Sequence, residues 1–182
     1  MIYVALFRGI NVGGKNLLPM KDLVRLLQDL GCVNVRTYIQ SGNAVFESTG
    51  KRSQALKKTI AQAINRQSGF KPEVLLLTVG ELQAAANGNP FDSNVPKALH
   101  LFFMTNGSQF PETTNWGSFQ TEGEQFTIHQ NVLYLYTPNG VGQSKLAAKI
   151  GTATKSMATA RNWNTIVKLI ELAQPAAQGL EP

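Results

Sequence analysis

Apolar residues occupy both faces of the first extended segment, with Ile2, Val4 and Leu6 on one side and Tyr3, Ala5 and Phe7 on the other. A strand covered on both sides belongs in the middle of a sheet. Met20, Leu23, Val24, Leu27 and Leu30 then recur at helical spacing, Pro19 suits the first helical position, and Gly31 stands where a left-handed cap closes a helix. Val33, Val35, Thr37 and Ile39 share one face of a second strand, Gln40–Asn43 (QSGN) turns, and AVFES returns as a third, so this stretch reads as a tight hairpin. Leu56, Ile60, Ala63 and Ile64 mark a second helix ending near Gly69, and Glu73 to Val79 is an almost continuous apolar strand. The order β-α-β-β-α-β is that of a ferredoxin-like unit. Thr78 and Glu81 form a capping box for a further short helix through Ala86.

NGNPFDSNVP breaks every period and reads as a linker. Beyond it the plan is repeated more loosely. LHLFFM is a strand, a short helix follows Pro111, EQFTIHQ pairs with NVLYLYT, a helix starts at Ser144, a short strand lies near Met157, and a last helix presents Trp163, Ile166, Val167 and Ile170. The expected fold is therefore α+β, with two ferredoxin-like (βαββαβ) subdomains, each with an extra helix, packed together. The subdomains are expected at residues 1–88 and 89–173, with a flexible tail at 174–182. The two halves share no visible sequence repeat, so the duplication rests on element order alone.

Composition narrows the classes. A chain of 182 residues with 43% hydrophobic and 15% charged residues is long enough for an ordinary core. Cys32 is its one cysteine, which excludes an intrachain disulfide and fits a reducing compartment. The opening apolar run is broken by Arg8, too early for a signal-peptide core or a membrane span, so a cytoplasmic protein without membrane contact is expected. The net charge of +6 is uneven: residues 1–72 hold eleven basic and three acidic side chains, whereas residues 73–124 hold one and six. Such a basic end fits an anionic partner, nucleic acid included, or a solvated face that complements the acidic middle of the same chain.

Polar and glycine residues gather at three places where strands end or helices begin. The first is FRGINVGGKN, with Arg8, Asn11, Gly13 and Gly14. Gly9 to Lys15 matches the first seven positions of a phosphate-binding loop, but Asn16 stands where a magnesium-binding hydroxyl belongs and the helix starts a turn too late. The second is the hairpin TYIQSGN, with Gln40, Ser41 and Asn43. The third comprises PNGVGQSK, with Ser144 and Lys145, and TARNWNT, with Thr159, Arg161, Asn162, Asn164 and Thr165 at the start of the last helix. Glycines, hydroxyls and cations together suit an anion, although caps and turns use the same residue types. Catalytic machinery is not legible. His100 and His129 fall in strands, no metal-ligand spacing or GxSxG occurs, and Glu122 and Glu124 read as solvated turn residues. No cofactor is expected.

RGINVGG, TYIQSGNAVF, NPF, GVGQSKL and TARNWNTIVKL, in this order, resemble the signatures of the domain of unknown function 1697 family. The resemblance implies a cytosolic, mostly bacterial protein with two ferredoxin-like subdomains, and it carries no catalytic residue across. The polar clusters coincide with its motifs. The leading expectation is a small anionic or phosphate-bearing ligand held between the subdomains by Arg8, Lys145 and Arg161, with the three clusters converging there. A second reading is RNA or single-stranded nucleic-acid binding, with Tyr3, Phe7, Tyr38 and Phe46 as stacking rings. A third is an enzyme of unidentified reaction.

Overall fold

The computed structural model describes residues 1–49, 54–105, 110–111, 116–154 and 158–174. The fold is α+β, with two four-stranded antiparallel sheets. Packing divides the chain into one unit of Met1–Gln83 together with the stretch that starts at Val167, and another of Ala84–Ile166. The division falls inside the third helix, a few residues before the boundary expected after residue 88.

In the first unit β1 (Ile2–Arg8), α1 (Met20–Asp29), β2 (Val33–Thr37), β3 (Asn43–Glu47), α2 (Gln54–Ser68) and β4 (Glu73–Thr78) follow in order, and the strands lie β2-β3-β1-β4. This is the ferredoxin-like arrangement. β1 is central because both its faces are apolar: Tyr3, Val4, Ala5 and Leu6 are buried completely. Tyr3, Ala5 and Phe7 face Leu23 and Leu27 of α1 and Ile60 and Ile64 of α2, joined by Ala44 and Phe46 from β3 and by Leu76 from β4. Three of the four rings expected to stack on bases, Tyr3, Phe7 and Phe46, are thus sealed under helices, because the core claims its largest apolar groups first. α3 (Val79–Asn87) opens on the capping box, the Thr78 N–H donating to Glu81 Oε2 at 2.7 Å and the Glu81 N–H to Thr78 Oγ1 at 3.2 Å.

Two local expectations change. Pro19 is the residue before α1, with ψ of 138°, so the helix starts one residue later, at Met20. β2 does not hold one alternating face: the register shifts between Val33 and Arg36 and Asn34 adopts φ +53°, which leaves Val33 55% exposed. Ile39 lies beyond the strand, in the loop that joins it to β3.

The second unit contains β5 (Leu99–Met104), a 3-10 turn (Trp116–Phe119), β6 (Gln125–His129), β7 (Val132–Tyr136), α4 (Lys145–Ala153) and β8 (Ala158–Asn162), with strand order β6-β7-β5-β8. The order repeats that of the first sheet. Phe102, Met104, Leu133 and Leu135 pack beneath Leu146 and Ile150 of α4, and Trp116 fills the remaining space. On the opposite face the Tyr134 hydroxyl donates to the Ala85 carbonyl of α3 at 2.8 Å. Between β5 and β6 the described structure is the 3-10 turn; residues 112–115, where a short helix was expected, lie outside the described residues, as do Met157 and the tail from residue 175. α5 (Trp163–Ala173) follows β8 directly. Thr159 and Arg161 therefore belong to a strand and not to the start of the last helix, since the chain stays paired with β5 through Asn162.

Candidate functional site

The glycine loop is a miniature hairpin. Val12 and Lys15 form an isolated bridge, the Lys15 N–H donating to the Val12 carbonyl at 3.0 Å, and Gly13 and Gly14 between them take φ +58° and +72°. Positive φ at both central residues is what a two-residue hairpin turn demands. The two glycines are explained by the turn, and the Lys15 amide that a phosphate loop would offer is spent inside it.

Asn11 closes this loop and ties it to the next cluster. Its Nδ2 donates to the Leu18 carbonyl at 2.9 Å and to the Gln40 carbonyl at 2.8 Å, and its Oδ1 accepts from the Leu18 N–H at 2.8 Å. The Asn11 N–H donates to the Asn16 carbonyl at 3.0 Å, and Asn16 Nδ2 returns to the Gly9 carbonyl at 2.8 Å. Asn11 and Asn16 take φ +54° and +52°, a conformation asparagine adopts more readily than most residues. The first two clusters are thereby brought together on one surface of the first unit.

The hairpin loop is fixed as tightly. Asn43 is fully buried and its Nδ2 donates to the Tyr38 carbonyl and to Ser41 Oγ, each at 3.0 Å. Gly42 takes φ +76°, and a Cβ there would lie 2.7 Å from Ile10 Cδ1 and 2.9 Å from Phe7 Cβ. Asn11, Asn43, Gly13 and Gly14, all expected to hold a ligand, are therefore accounted for by the fold. What they leave at the surface is Arg8, half-buried at the end of β1, with Lys15, Gln40 and Ser41 exposed. The side chains of Arg8, Lys15 and Gln40 make no hydrogen bond or ion pair among the described residues. Val12, Leu17 and Ile39 add exposed apolar groups, at 66%, 65% and 52%. Ile39 is β-branched and holds φ +50°, a strained conformation for a side chain that contributes little to the core.

The third cluster lies in the second unit, and most of it is also structural. Ser144 caps α4, its Oγ accepting from the Ala147 N–H at 2.9 Å. Asn162 caps α5, its Oδ1 accepting from the Thr165 N–H at 3.0 Å and the Thr165 hydroxyl at 2.8 Å. Arg161 Nη1 donates to the Ala160 carbonyl at 2.7 Å and to Thr159 Oγ1 at 3.1 Å, and burial pushes its guanidinium down to about 10. Lys145 and Asn164 are exposed.

Glu124 corrects the reading of a solvated turn residue. It is only 7% exposed and its Oε2 accepts from the Thr121 N–H at 2.9 Å. Burial pushes its carboxyl up, but hydrogen bonds from the Ser144 side chain and from Thr121 outweigh it and hold the pKa below the ordinary value. Glu124 therefore anchors the start of β6 to the cap of α4. Nothing in the sequence announced this, because a Glu after Gly123 looks like any turn carboxylate. His100 is half-buried, and burial lowers its pKa against a weaker opposing bond with the Ala98 backbone; His129 ends β6 at the surface. No group of three or more His, Cys, Asp or Glu suited to a metal occurs among the described residues.

A sheet order of this kind, repeated in two units, defines an α+β protein built of two ferredoxin-like sheets. The family model described as "Protein of unknown function (DUF1697)" matches residues 1–134, and the chain belongs to that family. Among solved structures it is similar to the conserved bacterial protein SP0830 from Streptococcus pneumoniae, with a TM-score of 0.73 at 22% identity, covering 95% of this chain and 98% of that one. That likeness concerns the fold. No curated protein matches the chain.

Proposed function

We propose that the protein binds a small anionic or phosphate-bearing ligand, and that the clasped loop pair of the first unit is where the ligand is gripped. The observation that carries this reading is the contrast at that surface. Asn11, Asn16 and Asn43 hold the two loops in left-handed and tightly packed conformations, while the Arg8, Lys15 and Gln40 side chains beside them have no partner among the described residues. Rigid backbone with unspent donors is how a site lowers the ordering cost of binding.

Thermal shift against inorganic phosphate, nucleotides, sugar phosphates and short RNA tests the reading. At least one class should raise the melting temperature, by an amount that grows with the logarithm of ligand concentration once the site is saturated. The shift should vanish in the double variant Arg8→Gln, Lys15→Gln. A response only to RNA that falls steeply with salt would mark polynucleotide binding instead. No shift from any class at millimolar concentration would refute the proposal.

No helix among the described residues is long and apolar enough to cross a membrane.

A further inference from the structure

On the outer face of the first sheet, beside the edge strand β2, lies a recess of about 270 Å³ bounded by the end of α5. Strand register fixes which side chains share it. Arg36 pairs with Val45, and Ile2 pairs with Glu47; Val45 and Glu47 are two apart on β3, so all four point to one face. Leu172 and Ala173 of α5 form the facing wall. The lining thus combines apolar groups with one cation, one anion and the amides of Asn34 and Gln174.

Those two charges do not pair with each other. Arg36 Nη1 donates to the Leu172 carbonyl at 3.0 Å, and Glu47 Oε1 accepts from Asn34 Nδ2 at 2.6 Å. Both partners are neutral, and neither residue has a further partner among the described residues. Arg36 keeps four of its five N–H donors and Glu47 keeps its second oxygen. Opposite charges on adjacent strands of one face ordinarily close into an ion pair; here each is held by a neutral partner instead, on the wall of an open recess.

We infer that this recess is a site for a small zwitterion with an apolar side chain, of the α-amino acid class. Arg36 takes the carboxylate through its planar fork. Glu47 takes the ammonium, and Ile2, Val45, Leu172 and Ala173 take the side chain. The size agrees: the volume equals about nine waters and falls just below that of pockets for drug-sized ligands. A phosphate or nucleotide does not fit this chemistry, because Glu47 would face it with like charge. The site is separate from the clasped loops and does not depend on the reading proposed for them.

The test is a ¹⁵N–¹H spectrum of the full chain titrated with L-leucine, L-methionine and L-phenylalanine, each to about 10 mM, well above a millimolar Kd. At least one should shift the amides of Ile2, Asn34–Arg36, Val45–Glu47 and Leu172–Gln174. Its N-acetyl form, which lacks the ammonium, and its amide, which lacks the carboxylate, should each bind roughly tenfold or more weakly, and glycine likewise for want of a side chain. Glu47→Gln keeps the bond to Asn34 and should remove the response at an unchanged melting temperature. The Arg8→Gln, Lys15→Gln variant should retain it. Absence of any shift with all three amino acids, shifts that survive both end-capped forms, or shifts confined to other residues would each overturn the inference.

Discussion

Replacing Asn11 by alanine tests whether this side chain clasps the two loops of the first unit. The side chain supplies three hydrogen bonds of 2.8–2.9 Å, two to Leu18 and one to the Gln40 carbonyl. At about 0.5–1.5 kcal/mol net for each bond, their loss costs roughly 2–4 kcal/mol, towards the lower figure where water replaces the bond to Gln40. Alanine must also hold φ +54°, which adds about 1 kcal/mol. Asn11→Gly removes the same bonds without the backbone penalty, so it should be more stable than Asn11→Ala by about that 1 kcal/mol. Asn11→Asp keeps an acceptor for the Leu18 N–H but turns an oxygen towards two carbonyls. It should be as damaging as alanine at neutral pH and recover as the acid protonates. Urea unfolding gives the magnitudes, and hydrogen exchange at the Leu18 amide gives the location, since that N–H donates to Asn11 Oδ1. An alanine variant within about 0.5 kcal/mol of the parent, with Leu18 still protected, would refute the clasp.

Gly42→Ala should destabilise by roughly 2–5 kcal/mol, because the new methyl meets Ile10 and Phe7 inside 3 Å at φ +76°; Gly13→Ala, in open space at φ +58°, should cost only about 1–2 kcal/mol, and unfolding midpoints decide between equal and unequal effects. Ser144→Ala should cost about 2 kcal/mol, one part from the lost cap on α4 and one from the weakened hold on buried Glu124, measured by thermal or urea denaturation. Glu124 also sets a pH dependence. Its folded pKa lies below its ordinary value of 4.5, so its contribution is complete above that value and is lost as pH falls through the folded one; Glu124→Gln should flatten the acid limb of the melting-temperature profile, and an unchanged limb would contradict the buried hydrogen-bonded carboxylate.

The fold was readable where one residue type answers to one physical demand. β1 declares itself by being apolar on both faces, α1 by its spacing and by Gly31 at φ +82°, and α3 by the Thr78–Glu81 box. Boundaries slipped where demand and residue type come apart. Ile39 looks like a strand residue and sits instead in a left-handed loop, because the Asn11 bond to the Gln40 carbonyl and the packing of Gly42 on Ile10 fix the chain there. Thr159 and Arg161 look like the approach to a helix and are strand residues, because pairing with β5 is long-range and leaves no local mark. The Arg36–Glu47 recess was invisible for the same reason: its walls come from residues 2, 36, 45, 47 and 172 and meet only through sheet register.

The polar clusters were legible as residues but not as roles. Asparagine, serine and glycine carry amide, hydroxyl and unhindered backbone whether they face a ligand or their own chain, and sequence does not distinguish the two uses. The structure does, because a side chain that already bonds two carbonyls and an N–H has little left to offer. By that measure Asn11, Asn43, Ser144 and Asn162 are occupied, each in closing a connection within its own unit. The same accounting singles out what a ligand would use. Arg8, Lys15 and Gln40 stand on connections that those residues have made rigid, yet their side chains take no part in holding them. Substituting these three should therefore leave stability near that of the parent, within about 0.5 kcal/mol each as for ordinary surface positions, and abolish ligand response. Substituting the asparagines should do the reverse first, lowering stability and losing binding only as the loops loosen. A pattern in which Arg8→Gln unfolds the protein as readily as Asn11→Ala would show that the guanidinium belongs to the framework and that the site must be sought elsewhere.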